Sequence, residues 1–343
     1  MKTSVTFRTI AAAALAVLGS LAAGSASAQE LNLYTTREPG LIKPLIDSFT
    51  KATGVKVNTI FVKDGLPERL AAEGAKSPAD VLMAVDFGNL TDLVEKGLTQ
   101  PVQSTTLASA VPANLRGSNG EWFALSLRAR VLYAEKDLGI SSINYEDLAD
   151  PKWKGKVCMR SGQHPYNTAL VAAFLAHHGE AKTEAWLRGV KANLARKATG
   201  GDRDVARDIM GGICDIGLGN SYYVGLMRSG AGGADQAAWG SAIKVLLPAF
   251  QGGGTHVNVS GAAVAKHAPN REAAMKFLEY LVSPEAQKIY AEANFEYPVR
   301  AGAAVHPIIG ALGTLNVDPI ALAVIARHRA AASKLIDKVG FDH

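Results

Sequence analysis

A mixed α/β chain folded as two bodies is the class this sequence predicts, on three observations. Short β-rich segments alternate with amphipathic helical ones from residue 31 onward. A length of 343 residues, at about 150 per domain, makes about two compact units. One long extended run, WFALSLRARVLYAEK at 122–136, is suited to crossing between them. With 48% apolar and 20% charged residues and only two cysteines, a disordered tail, a collagen-like repeat and a disulfide-stapled miniprotein are excluded.

The opening segment reads as a targeting signal. Lys2 and Arg8 precede an apolar run from Ile10 to about Ala23, and Ala26-Ser27-Ala28 follows, so cleavage is expected after Ala28. The run is shorter than the roughly 20 residues a spanning helix needs, and the later apolar stretches are shorter still. Removing residues 1–28 takes away two basic groups and no acidic one, so much of the +5 formal charge belongs to the signal. No stripe of Lys/Arg with interleaved aromatics follows, so nucleic-acid binding has no electrostatic support. A soluble exported protein is expected, a monomer with no membrane span in its mature form.

Strand and helix then alternate. LNLYT (31–35) reads as a strand, 39–52 as a helix, VKVNTIF (55–61) as a strand, 66–73 as a helix, DVLMAV (80–85) as a strand and 89–96 as a helix. That order implies a mostly parallel sheet. After the 122–136 run come a strand at 156–161, helices at 167–177, 182–193 and 204–210, and a strand at 213–219. Extended segments at 242–250 and 255–266 follow, then two helices separated by Ser283-Pro284, an N-cap with Pro in the first helical position. The last forty residues read as helical. GAGGAD (230–235) reads as a surface loop, because a phosphate cradle would need a third glycine and a strand directly before it.

In an oxidising compartment, Cys158 and Cys214, which lack CxxC spacing, point to one structural bridge rather than a redox or zinc site. Two separate buried thiols are the alternative. A bridge across this interval would stabilise the fold by about 4 kcal/mol on the chain-entropy account.

Enzyme signatures are missing: there is no GxSxG, Walker loop, HExxH or EF-hand spacing. His177-His178 reads as a solvated helix end, and Asp202 with Asp204 as an N-terminal charge cluster around Arg203. The unusual feature is tyrosine placement. Tyr222 and Tyr223 follow Gly219-Asn220-Ser221, a helix start after a strand, and Tyr166 sits in a second strand-end loop, RSGQHPYNTAL. Carboxyl ends of strands in open α/β sheets are where ligands bind. The bland alternative is three amphipathic tyrosines packing at a domain surface.

The chain resembles the periplasmic ferric-ion-binding proteins of ABC importers, within the extracellular solute-binding protein group. The resemblance runs through LNLYTTREPGLI, SPADVLMAVD, WFALSLRARVLY, LADPKWKGKVCMRSG with Tyr166-Asn167, NLARKATGGDRD, GNSYYVG, GTHVNVSGAAVAKHAPNREAAMKFLEYLVSPEAQ and NFEYPV. It implies a bilobal periplasmic-binding-protein fold, two α/β lobes joined by crossing strands over a ligand cleft. The lobes would be 29–125 with 253–302, and 126–252 with 303–343. It further implies that Tyr166, Tyr222 and Tyr223 are iron ligands, and that the protein is a periplasmic carrier delivering Fe3+ to an inner-membrane ABC permease. Where some members carry a His or His-Tyr pair this chain has Glu38 and Pro39, and where others carry a Glu it has Val85. That departure resembles the branch that completes coordination with carbonate or a similar synergistic anion, with Arg37 and Arg128 at matching positions and Arg130 as a weaker candidate. Asn220, Ser161 and Asn258 are candidate outer donors.

The chemistry supports the same reading. Ferric iron is a hard trivalent cation that favours charged oxygen ligands. Holding a tyrosine as phenolate at pH 7 without metal costs about 4 kcal/mol, given its pKa near 10. An adjacent trivalent ion offsets that cost, whereas a neutral sugar does not. Because the ligands must lose protons, mild acid should weaken retention. Two other readings stand beside it: a solute-binding protein whose tyrosines box a small organic cation while Arg37 and Arg128 grip an anion, and an enzyme on the same scaffold, for which no nucleophile–base pair is visible.

Overall fold

The computed structural model describes residues 29–343, so the expected signal at 1–28 lies outside the described residues. The chain begins β1 (Glu30–Thr35), α1 (Pro39–Thr53), β2 (Lys56–Phe61), α2 (Leu66–Glu73), β3 (Val81–Ala84), α3 (Phe87–Glu95), β4 (Thr99–Gln100) and α4 (Thr105–Ala110). The crossing run is β5 (Phe123–Glu135), followed by β6 (Val157–Cys158), α5 (Pro165–Ala192), α6 (Asp202–Met210), β7 (Ile216–Asn220) and α7 (Ser221–Arg228). Then come α8 (Ala234–Ala242), β8 (Ile243–Leu246), β9 (Val257–Ala265), α9 (Arg271–Leu281), α10 (Pro284–Asn294) and β10 (Tyr297–Pro298). Three helices close the chain: α11 (Pro307–Gly310), α12 (Leu322–Ala326) and α13 (Arg329–Val339).

Most expected elements stand where the periodicity placed them, and the differences have local causes. The two helices expected at 167–177 and 182–193 form one long element broken at Gly179, whose φ of 75° and ψ of 177° are not helical. The strand expected at 156–161 shrinks to two residues, because Met159 onward leaves the sheet toward the start of α5. The end of the supposed glycine-rich loop, Ala234 and Asp235, already belongs to α8.

Only part of the sheet is parallel. β1 pairs in parallel with β2 and β3, and β6 with β7. The returning strand β9 runs antiparallel to both β3 and β5, and β7 and β8 run antiparallel to β5. The reason lies in β5. Its first half, Phe123–Ala129, pairs with β9, while Arg130–Ala134 pairs with β7. One 13-residue strand thus serves two sheet regions, and all of it except Glu135 is buried. Strands covered on both faces read as continuous apolar runs, as β3 does, while β9, also fully buried, carries Asn258 and Ser260 toward the site.

Close backbone approaches seat the functional helices on this frame. A Cβ on Gly219 would fall 2.1 Å from the Tyr133 ring, whose hydroxyl donates to the Asn220 carbonyl at 2.8 Å. A Cβ on Gly225 would meet the Phe295 ring at 2.3 Å, so α7 lies directly against the chain leaving α10. Cys158 and Cys214 form a disulfide, with Cα atoms 5.9 Å apart, that ties β6 to the loop before β7. Replacing both by Ala is expected to lower the unfolding free energy by about 2–4 kcal/mol, read from urea denaturation.

Where β9 enters the crossing region, Tyr145 donates its hydroxyl to the Arg130 carbonyl and accepts from the His256 amide. The His256 ring is 2% exposed and neither of its nitrogens has a partner among the described residues. Burial, reinforced by Arg130 and His177, pushes its pKa down to about 3. The unfolded chain takes up a proton near pH 6.5 that the folded state refuses, so this contribution to stability is full above pH 6.5 and is lost as pH falls. The slope approaches about 1.4 kcal/mol per pH unit. Urea titrations between pH 7 and 4 should show it, and His256→Leu should flatten it.

Candidate metal centre

The tyrosines stand on helix starts. β7 ends at Asn220, and α7 begins at Ser221, whose hydroxyl accepts from the Ala129 amide at 3.2 Å and so fixes the helix start against β5. Tyr222 and Tyr223 therefore fall in the first turn of α7, their rings in contact at 4.1 Å between centroids and 34° between planes. Tyr166 occupies the first turn of α5, directly after Pro165. The N-cap His164 accepts the Tyr166 amide on its ring Nδ1 at 3.3 Å and packs edge-on against the Tyr166 ring. Burial, then the charge of Arg160, push His164 down to about 4, so at neutral pH it keeps the lone pair that this capping bond needs.

The hydroxyls of Tyr166 and Tyr222 come to 3.4 Å from each other. Two helix N-termini thus present phenols at one point, where the unpaired amides favour negative charge. Three guanidiniums face the rings: Arg128 at 5.8 Å and Arg160 at 5.3 Å over Tyr166, and Arg203 at 5.5 Å over Tyr223. Burial pushes the Tyr222 hydroxyl well above its usual value, the neighbouring phenols of Tyr166 and Tyr223 push it further, and Arg128 opposes them. Tyr223 is raised for the same leading reason, burial, with Tyr166 next. Both are neutral phenols at pH 7 until a cation replaces their protons.

Tyr166 and Tyr222 line a cavity of about 270 Å³. The rest of its lining comes from elsewhere in the chain, including Arg37 and Glu38 after β1, Val85 after β3, Arg128 from the middle of β5, and Asn294 and Glu296 around the end of α10. Tyr223 is held against Tyr222 but is not among the lining residues. Val85 offers no ligand atom, and Glu38 stands exposed at the rim. A larger, mostly apolar groove of about 530 Å³ beside Leu127 and Tyr297 holds none of these groups. Among the described residues no three His, Cys, Asp or Glu side chains cluster to hold a metal.

The two candidate arginines differ. Arg37 is 3% exposed and already engaged, donating to the Ser260 hydroxyl at 2.7 Å and to Glu296 at 2.8 Å. Arg128, equally buried, donates to the Val259 carbonyl and, among the described residues, forms no ion pair. Glu296 receives the Ser126 hydroxyl on its other oxygen. Burial alone would raise the Glu296 pKa, but Arg37 and then Arg128 hold the carboxyl below its ordinary value.

Several sequence readings change here. Arg130 is not free for an anion: it donates to Asp202 at 2.6 Å, Asn167 at 2.7 Å and Asn220 at 3.0 Å. Asp202 stands at the start of α6, as the charge-cluster reading has it, but its side chain is 0% exposed and is the partner of Arg130. His177 and His178 are not solvated either; they pair with Asp318 at 2.9 Å and Glu146 at 2.7 Å. Ser161 donates to Asp342 and Asn258 to Asp86, so both serve structural contacts, while the Asn220 side chain accepts from Arg130. Glu296 went unnoticed as a site residue. It sits inside NFEYPV, and no local pattern reports a partner 259 positions away.

A family model described as bacterial extracellular solute-binding protein matches residues 39–296. The chain is 42% identical to iron uptake protein A1 of Synechocystis sp. over 316 residues, covering 91% of this chain and 88% of that one. Its structure superposes on a Bordetella ferric binding protein with a TM-score of 0.90 at 67% identity, covering 92% of this chain and all of the other. A Trichodesmium protein solved in complex with iron and citrate matches with a TM-score of 0.85 at 44% identity, over 91% of this chain and 99% of that one. By sequence and by its mixed α/β fold, the chain belongs to the bacterial extracellular solute-binding proteins, a family of binders rather than enzymes.

Proposed function

We propose that this protein captures ferric iron in the periplasm, with an anion of the carbonate class as co-ligand, and hands it to an ABC permease. Tyr166, Tyr222 and Tyr223 supply the oxygen ligands, and Arg128, with Arg37 behind it, the anion contact. The observation that carries this is the meeting of the Tyr166 and Tyr222 hydroxyls at 3.4 Å, on two helix N-termini, in a cavity that Arg37 and Arg128 also line. The names of the similar proteins support the choice of metal: iron uptake, ferric binding, iron with citrate.

The lobes we assign are 29–125 with 253–302, and 126–252 with 303–343. On that division the tyrosines belong to the second lobe and Arg37, Glu38 and Val85 to the first, so a ligand touched by both favours closure. Residues 1–28 are the export signal. An aromatic box for an organic cation fits less well, because the Tyr222 and Tyr223 rings already touch and leave no slot between their faces. Metal-free protein incubated with ferric citrate tests the assignment: a visible phenolate-to-iron band with one iron per chain is expected. Colourless, iron-free protein would end it.

A further inference from the structure

We infer that Glu296 sets the charge of the co-bound anion: by neutralising Arg37 from within the protein it leaves one uncompensated guanidinium, Arg128, and fits the site to a monoanion such as hydrogencarbonate or a monocarboxylate, not a dianion. The inference rests on the ferric reading above and sharpens it. Glu296 is 3% exposed and lines the cavity, yet both of its oxygens are spoken for. One accepts from Arg37 at 2.8 Å, the other from Ser126 and, at 3.3 Å, from Ser260. Ser260 also receives Arg37, so the four side chains form a closed set that holds the carboxylate away from a metal-ligand role and against the guanidinium.

Charge accounting follows from these contacts. Three phenolates cancel a ferric ion. Beyond them the cavity wall carries Arg37, Arg128 and Glu296, with Glu38 exposed to water at the rim. Arg160 stands over Tyr166 outside that wall, where it shares the Asp202 carboxylate with Arg130. On the wall itself, two positive charges and one buried negative leave a single positive charge to balance. That charge sits on Arg128, a guanidinium 3% exposed whose sole protein acceptor is a neutral carbonyl. A buried cation without a counter-charge is costly, so this is where an exogenous anion gains most. A dianion would leave the closed site with an unbalanced negative charge in a poorly screened interior.

The test loads wild-type, Glu296→Gln and Arg37→Met/Glu296→Gln proteins with ferric iron in acetate or oxalate, and follows iron retention against a competing chelator by the visible band. Calorimetry of the metal-free proteins with the same two anions runs alongside. Glu296→Gln should raise the oxalate-to-acetate ratio of retention at least about tenfold, because one more positive charge faces the anion. The double variant, with both charges gone, should return to the wild-type ratio. A Glu296→Gln ratio within twofold of wild type overturns the inference, as does a double variant that shifts to oxalate. Should Glu296→Gln fail to fold by circular dichroism, Arg37→Met takes its place: it leaves Glu296 to offset Arg128 and should lower the oxalate-to-acetate ratio at least about tenfold, and a ratio within twofold of wild type overturns the inference. Wild-type protein that takes up iron with neither anion would end the ferric reading instead, and the calorimetric ratio would still decide the role of Glu296.

Discussion

Tyr222→Phe is expected to abolish the visible iron band and to weaken ferric retention by more than about 100-fold, with Tyr223→Phe and Tyr166→Phe close behind. Loss of a mere outer-shell partner of a metal ligand costs 10–100-fold, and a charged ligand does more. The physical basis is the contrast between the two states of the site. Without metal, burial and the neighbouring phenol of Tyr166 raise the Tyr222 and Tyr223 hydroxyls above their ordinary value, and the Tyr166 and Tyr222 hydroxyls crowd each other. On the proposed ligand set, a trivalent cation turns that crowding into oxygens converging on one charge. Removing one hydroxyl therefore harms only the loaded state: the hydroxyl pair at 3.4 Å is a weak contact, and Phe fills the same ring volume. Thermal melts of the metal-free variants should match or exceed wild type while iron retention collapses. A variant that keeps its band would remove that tyrosine from the ligand set.

The second large effect is structural and acts through the contacts of Asp202 with Arg130 and Asn220. Asp202→Ala is expected to cost about 3–5 kcal/mol in urea denaturation, the range for stripping one partner from a buried ion pair. Arg130 and Asp202 are 2% and 0% exposed at their side chains and 2.6 Å apart. Arg130 also holds the side chains of Asn167 and Asn220, and Asp202 accepts the Asn220 amide at 3.0 Å. Asn167 follows Tyr166, and Asn220 ends the strand that leads into Tyr222. One charge pair therefore sets the starts of both ligand-bearing helices against β5. Arg130→Met/Asp202→Leu should recover much of the stability, since apolar replacement of a buried pair is often neutral or better. Iron retention should stay low, because the asparagines lose what aligns them. Recovery of both together would show that the network does not position the tyrosines.

How the fold reads from sequence depends on the range of the forces involved. The helix starts at Ser221 and Pro284 are local events, set by proline, cap residues and apolar period, and they stand where they were expected, while α5 begins at Pro165, two residues before the expected start at 167. The parallel sheet was only half right, since which strands lie beside β9 depends on where the chain returns after more than a hundred residues. Arg130 shows the same divide. In sequence it is one of two arginines on an extended run, and spacing cannot say which of Arg128 and Arg130 meets a carboxylate. In the structure one is saturated by Asp202 and the other has only a carbonyl.

The amino-acid order by itself determined the α/β class, the long strand β5 and the bridge partners, because each depends on period, spacing or composition, and its resemblance to a family pointed to the three tyrosines as candidates through contiguous motifs. Only the tertiary structure decided that Tyr223 lies behind Tyr222, that Arg130 belongs to Asp202, and that Glu296 reaches across 259 positions to neutralise Arg37. Charge pairing inside a protein is a matter of distance and burial, and neither is written along the chain.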